Sequence, residues 1–177
     1  MTTTTIEDQL AEVRGQIDRL RVLEQAGVTA ERGRIRRHLD VLHKEEASVR
    51  SAVRQAPDEV EEKLGQLRTR LHVAEHSLAA DLSDDWASFA AAVEAELRTW
   101  DTYLERLQTS VAAKAWKARE QAEAAIGDVR SRRIEVDERL AQARYAAGDA
   151  SADARKQVTA ARDALEQKAD ELSARIK

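Results

Sequence analysis

The chain has 177 residues, 42% of them hydrophobic, 35% charged and 3% aromatic, with six Gly and one Pro. So few turn-forming and aromatic residues argue against sandwiches, barrels and α/β enzymes, which turn about every dozen residues, and point to long helices. A net charge of -4 argues against a dedicated nucleic-acid binder, and the absence of Cys removes disulfides, thiolate metal sites and Cys nucleophiles.

The acidity is concentrated. Residues 57–101 carry eleven acidic and four basic side chains, between nearly neutral flanks. Such a segment suits docking of one helix face on another, and equally a solvated face. The opening MTTTTIEDQL lacks a basic and then apolar leader pattern, and no run approaches the ~18 apolar residues of a membrane span. A cytoplasmic location is the expectation.

In chain order, Ile6, Leu10, Val13, Ile17 and Leu20 step by four and three, the spacing of a narrow helical seam. Thr5 with Asp8 is a loose capping box, which places the helix start near Thr5. The next stripe, Val28, Ile35, Leu39, Leu42, Val49 and Val53, is out of phase with the first, and the slip falls on Gly27. Two readings stand: one helix over residues 5–55 with a local defect, or a break at Gly27 with a new helix capped by Thr29. The segment Gln55-Ala56-Pro57-Asp58-Glu59 predicts a turn, because Pro disfavours helix in the residue before it and suits a first helical turn. A helix over 58–82 follows, with the seam Val60, Leu64, Leu67, Leu71, Ala74 and Leu78, antiparallel to the one before.

Ser83 reads as the N-cap of a third segment, whose stripe is Trp86, Ala90, Val93, Leu97, Trp100, Leu104, Leu107 and Val111. The phase slips near Lys114 and resumes through Ala115, Ala118, Ala122, Ala125, Val129, Val136, Leu140 and Ala143. The slip reads as a stutter inside one helix over 84–147, about 95 Å long. Trp86 and Trp100 share a seam position and are expected to be buried together. Gly148-Asp149-Ala150-Ser151 signals a turn, and Val158, Leu165, Ala169, Leu172 and Ile176 mark a final helix over 150–176. The predicted fold is all-α: one elongated domain over 1–177, an antiparallel, coiled-coil-like bundle of long helices. Its Ala-rich final seams bury little area per residue and are expected to want a partner helix.

All four His fall in the predicted hairpin, His38 level with His76 and His43 level with His72. His72-Val73-Ala74-Glu75-His76 matches the H-x-x-E-H string of zinc peptidases, and Asp40 lies three residues before His43. The phase opposes a metal site. His72 and His76 fall off the seam, while His38 and His43 lie about 140° apart on their helix. They are read as surface groups, with no metal or cofactor expected. A di-iron centre needs E-x-x-H on two helices plus two further Glu, and the sequence offers no such set.

Gly27-Val28-Thr29 followed by Ile35-Arg36-Arg37-His38-Leu39 echoes a helix-turn-helix, with Arg32, Arg34, Arg36 and Arg37 available to phosphates. Leu23 stands where that turn wants a small residue and Gly33 falls in the recognition helix, so nucleic acid is not the expected partner. Arg130, Arg132 and Arg133 read as a solvated face. There is no phosphate loop, no nucleophile elbow and no identifiable pair of buried carboxylates. The expected function is non-enzymatic: a scaffold or adaptor acting through helix–helix association, with itself or a protein partner. The alternative is a peripheral lipid-binding protein whose amphipathic helices open onto an anionic membrane surface. Trp116, flanked by Lys114 and Lys117, is the candidate interaction surface for either.

Overall fold

A computed structural model describes residues 3–26, 29–112, 116–145 and 149–176, with side chains over 6–25, 32–112, 118–145 and 152–175. Six α-helices and one 3-10 turn make up these described residues, and they contain no strand. The helices are α1 (Thr3–Ala26), α2 (Thr29–Gln55), α3 (Val60–Asp81), α4 (Trp86–Ala112), α5 (Trp116–Ala143) and α6 (Asp149–Ile176). The chain divides into two compact units, Met1–Ser83 and Asp84–Lys177, where the sequence reading takes a single domain.

In the first unit, the break near Gly27 is the reading that holds. α1 ends at Ala26 and α2 begins at Thr29, while Gly27 and Val28 lie outside the described residues. The two helices run antiparallel, since Arg14 meets Glu46 and Arg21 meets His43. The Pro57–Glu59 turn reverses the chain again. α3 then returns along α2, pairing Asp81 with Arg34, Arg70 with Glu45 and Lys63 with Ser48. α1 also touches α3, so all three helices share one core. That core is the predicted seams: Leu10, Val13, Ile17 and Leu20; Ile35, Leu39, Leu42 and Val49; Val60, Leu64, Leu67, Leu71, Ala74 and Leu78.

The second unit corrects the sequence reading. Residues 84–147 form two helices, α4 and α5, folded back on each other. Glu94 pairs with Arg144, Asp101 with Arg133 and Gln108 with Arg130, the falling order of an antiparallel pair. The phase slip near Lys114 therefore marks a change of helix; residues 113–115 themselves lie outside the described residues. No Gly or Pro announces it, which is why spacing alone reads as a stutter. α6 packs against α5, Ala seam to Ala seam, with Ala122, Ala125, Ala143, Ala161 and Ala169 buried. Small side chains let two helix axes approach closely. The two Ala-rich seams, expected to want a partner helix, thus pack on each other.

α4 begins one residue after Asp85. Ser88 N–H donates to Asp85 Oδ1 at 2.8 Å and Ser88 Oγ donates to Oδ2 at 2.7 Å. These bonds, that of the backbone N–H first, hold the Asp85 carboxyl below its ordinary pKa. Ser83, the expected cap, belongs to the preceding helix: its hydroxyl donates to Ala79 O at 2.7 Å and closes the end of α3. Trp100 is fully buried and meets Tyr103 edge-on at 5.7 Å, whereas Trp86 is only partly buried, against Phe89. The joint burial expected of the two Trp therefore holds for Trp100 alone, because Trp86 sits in the first turn of its helix.

Two outcomes follow from this packing. Trp100→Ala should lower stability by about 3–5 kcal/mol, measured by urea unfolding, because it removes a fully buried aromatic and leaves a cavity. In single-Trp variants, acrylamide should quench Trp86 more strongly than Trp100; equal protection of the two would contradict the position of Trp86 in α4.

Candidate functional site

The chemistry-bearing side chains fall into three groups: the His of the first unit, an open groove between α1 and α2, and a set of charged residues set into helix seams.

The four His do not converge. His72 is exposed, and its Nδ1–H donates to Glu75 Oε2 at 3.0 Å on its own helix. His43 is partly buried and accepts at Nε2 from Arg21 Nη2 at 3.0 Å. His76 is partly buried, and His38 is buried at 8% exposure. The expectation of four surface His is corrected for His38, whose place beside Leu39 puts it against the neighbouring helices. Among the described residues no three His, Asp or Glu gather closely enough to hold a metal ion. The H-x-x-E-H string is a solvated i, i+3 pair with a second His one turn away.

The groove has a volume of about 550 Å³ and is lined by Arg21, Glu24 and Gln25 of α1 and Arg32, Arg36, Leu39, Asp40 and His43 of α2. Its charges are mixed, three Arg facing two carboxylates. Arg32 Nη2 donates to Gln25 O at 3.3 Å, which satisfies a carbonyl at the end of α1. The helix-turn-helix echo is not realised here. α1 and α2 lie side by side along their length, and Arg34, one of the four Arg offered to phosphates, pairs instead with Asp81 at 2.7 Å in a largely buried contact. Val22 and Leu23 are exposed hydrophobics on the last turns of α1.

The third group is the one sequence reasoning missed. In α2 the apolar stripe jumps seven residues from Leu42 to Val49, and Glu46 fills the vacant step at 6% exposure. It accepts from Arg14 Nε of α1 at 2.5 Å and from Arg50 one turn along its own helix. Burial opposes ionisation of Glu46, but the hydrogen bonds and charges of Arg14 and Arg50 outweigh it and hold the carboxyl below its ordinary pKa. In α5 the jump from Val129 to Val136 is filled by Arg133. Its Nη2 donates to Asp101 Oδ2 of α4 at 2.9 Å, and it also neighbours Asp137. Arg133 is therefore partly buried between helices and not on a solvated face, while Ile134 beside it is 53% exposed.

The deepest case is in α6. The jump from Val158 to Leu165 is filled by Arg162, whose side chain is 0% exposed. Its Nε and Nη2 each lie 2.8 Å from Oε2 of Glu96 in α4, also 0% exposed. Trp100 Nε1 donates to Glu96 Oε1 at 3.4 Å. One heptad earlier, the Arg155 guanidinium lies over the Phe89 ring at 4.6 Å from its centroid. Further along, Tyr103 and Ser173 share a hydroxyl hydrogen bond at 2.9 Å. These contacts rise together in number along both helices, so α4 and α6 are parallel.

Of the expected interaction surface, Lys114 lies outside the described residues. Trp116 and Lys117 stand in the first turn of α5, their side chains also outside them. No helix among the described residues is long and apolar enough to cross a membrane. No protein family, curated protein or solved structure matches the chain.

Two outcomes test these layers. Arg162→Met alone leaves a buried carboxylate without its cation and should cost about 3–5 kcal/mol by urea unfolding, whereas replacing Glu96 and Arg162 together by Met should be close to neutral. For Glu46 the lowered pKa sets the sign. Its contribution is present above the unfolded carboxyl pKa of about 4.3 and is lost as pH falls through the lower folded value. Glu46→Gln should therefore flatten the acid limb of the stability curve and leave the slope between pH 6 and 8, as rough bounds, unchanged.

Proposed function

We infer that this protein is a non-enzymatic helical scaffold or adaptor that acts through helix–helix association, with itself first and with a protein partner as the other case. The observation that supports this most is where its ionised groups are engaged. Glu46, Glu96 and Asp101 each take an Arg from a neighbouring helix, and Arg34 and Arg70 each take a carboxylate from one. A catalytic site needs acids, bases or nucleophiles poised toward a substrate in a cleft. Here the same residue types fix helices against each other. The reading includes an elongated, coiled-coil-like bundle, for which the four-and-three spacing of the buried seams is the support.

Two surfaces of α1 support a protein contact: the largely charged groove it forms with α2, and the exposed Val22 and Leu23, which do not line that groove. The lipid-binding alternative asks more of the chain. An interfacial helix presents its apolar face to the bilayer, and here Leu10, Val13, Ile17, Val93, Leu97, Leu140 and Leu165 are all buried against other parts of the chain.

Light scattering across a concentration series should give a molar mass that rises above 19.8 kDa. A mass fixed at that value up to about millimolar protein, the weak end of specific association, removes self-association. Co-sedimentation with vesicles of anionic lipid, and not with neutral ones, would replace the scaffold reading by the lipid one.

A further inference from the structure

We propose that the outward face of α5 is the surface of self-association: α5 pairs antiparallel with α5 of a second copy of the chain, about a two-fold axis that passes between Ser131 and Ile134. The proposal rests on the self-association inferred above and gives it a site.

α5 carries two stripes. The buried one, with Ile126, Val129, Val136 and Leu140, faces its own unit. Opposite to it lies a second line of three- and four-residue steps: Ala124, Gly127, Ser131, Ile134, Glu138, Ala141 and Tyr145, all exposed. It runs about 32 Å along the helix. Ile134 and Tyr145 are among the few large apolar side chains left exposed in the described residues, Tyr145 at 91%. The solvent face of an amphipathic helix is ordinarily charged or polar. Here Glu138 is the one charged residue on the line.

Size along this line is uneven, and that sets the direction of the pairing. Gly127 and Ser131 are small, and a Cβ added at Gly127 would meet open space. In an antiparallel pair centred between Ser131 and Ile134, Ile134 lies against Ser131 of the second copy. Ala141 lies against Ala124, and the stem of Glu138 over Gly127. Larger side chains thus meet smaller ones on both sides of the axis, and a two-fold contact repeats each of these meetings. A parallel pair would set Gly127 on Gly127 and Tyr145 on Tyr145.

The charges beside the line indicate what covers it. Along one edge stand Glu123, Arg130, Asp137 and Arg144, alternating in sign. The antiparallel pairing brings Arg130 to Asp137 of the second copy and Glu123 to Arg144, and the two-fold doubles each pair. All four are exposed. Within the chain Arg130 meets Gln108, Asp137 meets Arg133, Glu123 meets Arg119 and Arg144 meets Glu94, which leaves further donors and lone pairs on each. Moving the pair by one heptad either way would set Arg130 on Arg130 or Asp137 on Asp137. Along the other edge Gln121 meets Gln142, and Asp128 approaches Glu135, a like-charged approach that Arg132, 2.7 Å from Glu135, offsets. Edge pairs of this kind select partner and orientation more than they add affinity. The face is complementary to itself, so its occupant is a second copy.

The test combines light scattering with single-site labelling, which the absence of Cys makes clean. The wild-type mass should rise from 19.8 kDa toward about twice that value and level off there. Gly127→Gln and Ile134→Glu should each raise the dissociation constant at least about tenfold. Neither should lower the urea midpoint, since both positions are exposed and Gly is unfavourable inside a helix. Arg130→Glu and Asp137→Arg should each weaken the dimer, and the two together should restore it. A spin label at Ala118→Cys should lie about 44 Å along the axis from its copy, roughly twenty-nine residues at the helical rise. Labels that lie level indicate a parallel pair and overturn the proposal. A mass that rises equally in wild type, Gly127→Gln and Ile134→Glu leaves self-association standing and overturns this face as its site. A mass fixed at 19.8 kDa removes both. Anionic vesicles that sediment wild type and not Ile134→Glu would assign the face to a lipid surface and likewise overturn the proposal.

Discussion

A charged side chain at a seam position is the constraint on which the helix packing turns. An apolar seam residue tolerates almost any apolar neighbour at about the right volume. A carboxylate or guanidinium at the same position tolerates very little, because the cost of leaving it unpaired out of water exceeds that of any nearby methyl contact. Glu46, Arg133 and Arg162 each occupy such a position and each meets its opposite charge on another helix. The pairs add little net stability, since desolvation consumes most of the Coulombic gain. Their effect is to make wrong arrangements expensive, which matters in a chain whose heptads otherwise repeat with so little variation.

Much of this was legible in the spacing of the sequence, and the omissions are instructive. The seams from Ile6 to Leu20 and from Val60 to Leu78 are buried as the four-and-three steps require, and the turn at Pro57 falls where proline chemistry puts it. The seam gaps were legible too, as seven-residue jumps from Leu42 to Val49, Val129 to Val136 and Val158 to Leu165. A jump of seven in a pattern of four and three means one seam position is filled by something not apolar. Reading only the apolar residues passes over Glu46, Arg133 and Arg162, which are among the most informative residues in the chain. The fold-back between α4 and α5 was not legible, because a phase slip is produced equally by a stutter and by a change of helix, and neither Gly nor Pro separates the two. Asp85 and Ser83 show a similar ambiguity at shorter range. Both are good caps, and which of them serves α4 depends on a carbonyl of α3 that the sequence does not display.

The two units use the constraint differently. In the first, Glu46 is bridged by Arg14 and Arg50, both half-exposed, so water shares in the solvation and the pair is tied to pH through a carboxyl already held low. In the second, Glu96 and Arg162 are sealed at 0% exposure, with the Trp100 indole as a further donor. A sealed pair has no solvent to fall back on. It therefore acts nearly all-or-none on the geometry around it, whereas the half-open pair adjusts gradually.

Position along the chain explains why the sealed pair lies between α4 and α6. Helices that follow one another are held in rough register by the connection between them: only three residues separate α4 from α5, and five separate α5 from α6. α4 and α6 are parallel and not consecutive, so each is tied to the other through α5 and through the side chains that meet between them. The Ala seams bring α6 close to α5 over much of their length. On the face toward α4 the contacts are instead long and chemically distinct: a guanidinium on Phe89, a guanidinium on Glu96, and a hydroxyl on Tyr103. The chain thus uses small, alike side chains between helices that follow one another directly, and long, chemically distinct ones between the two parallel helices that meet only through their side chains.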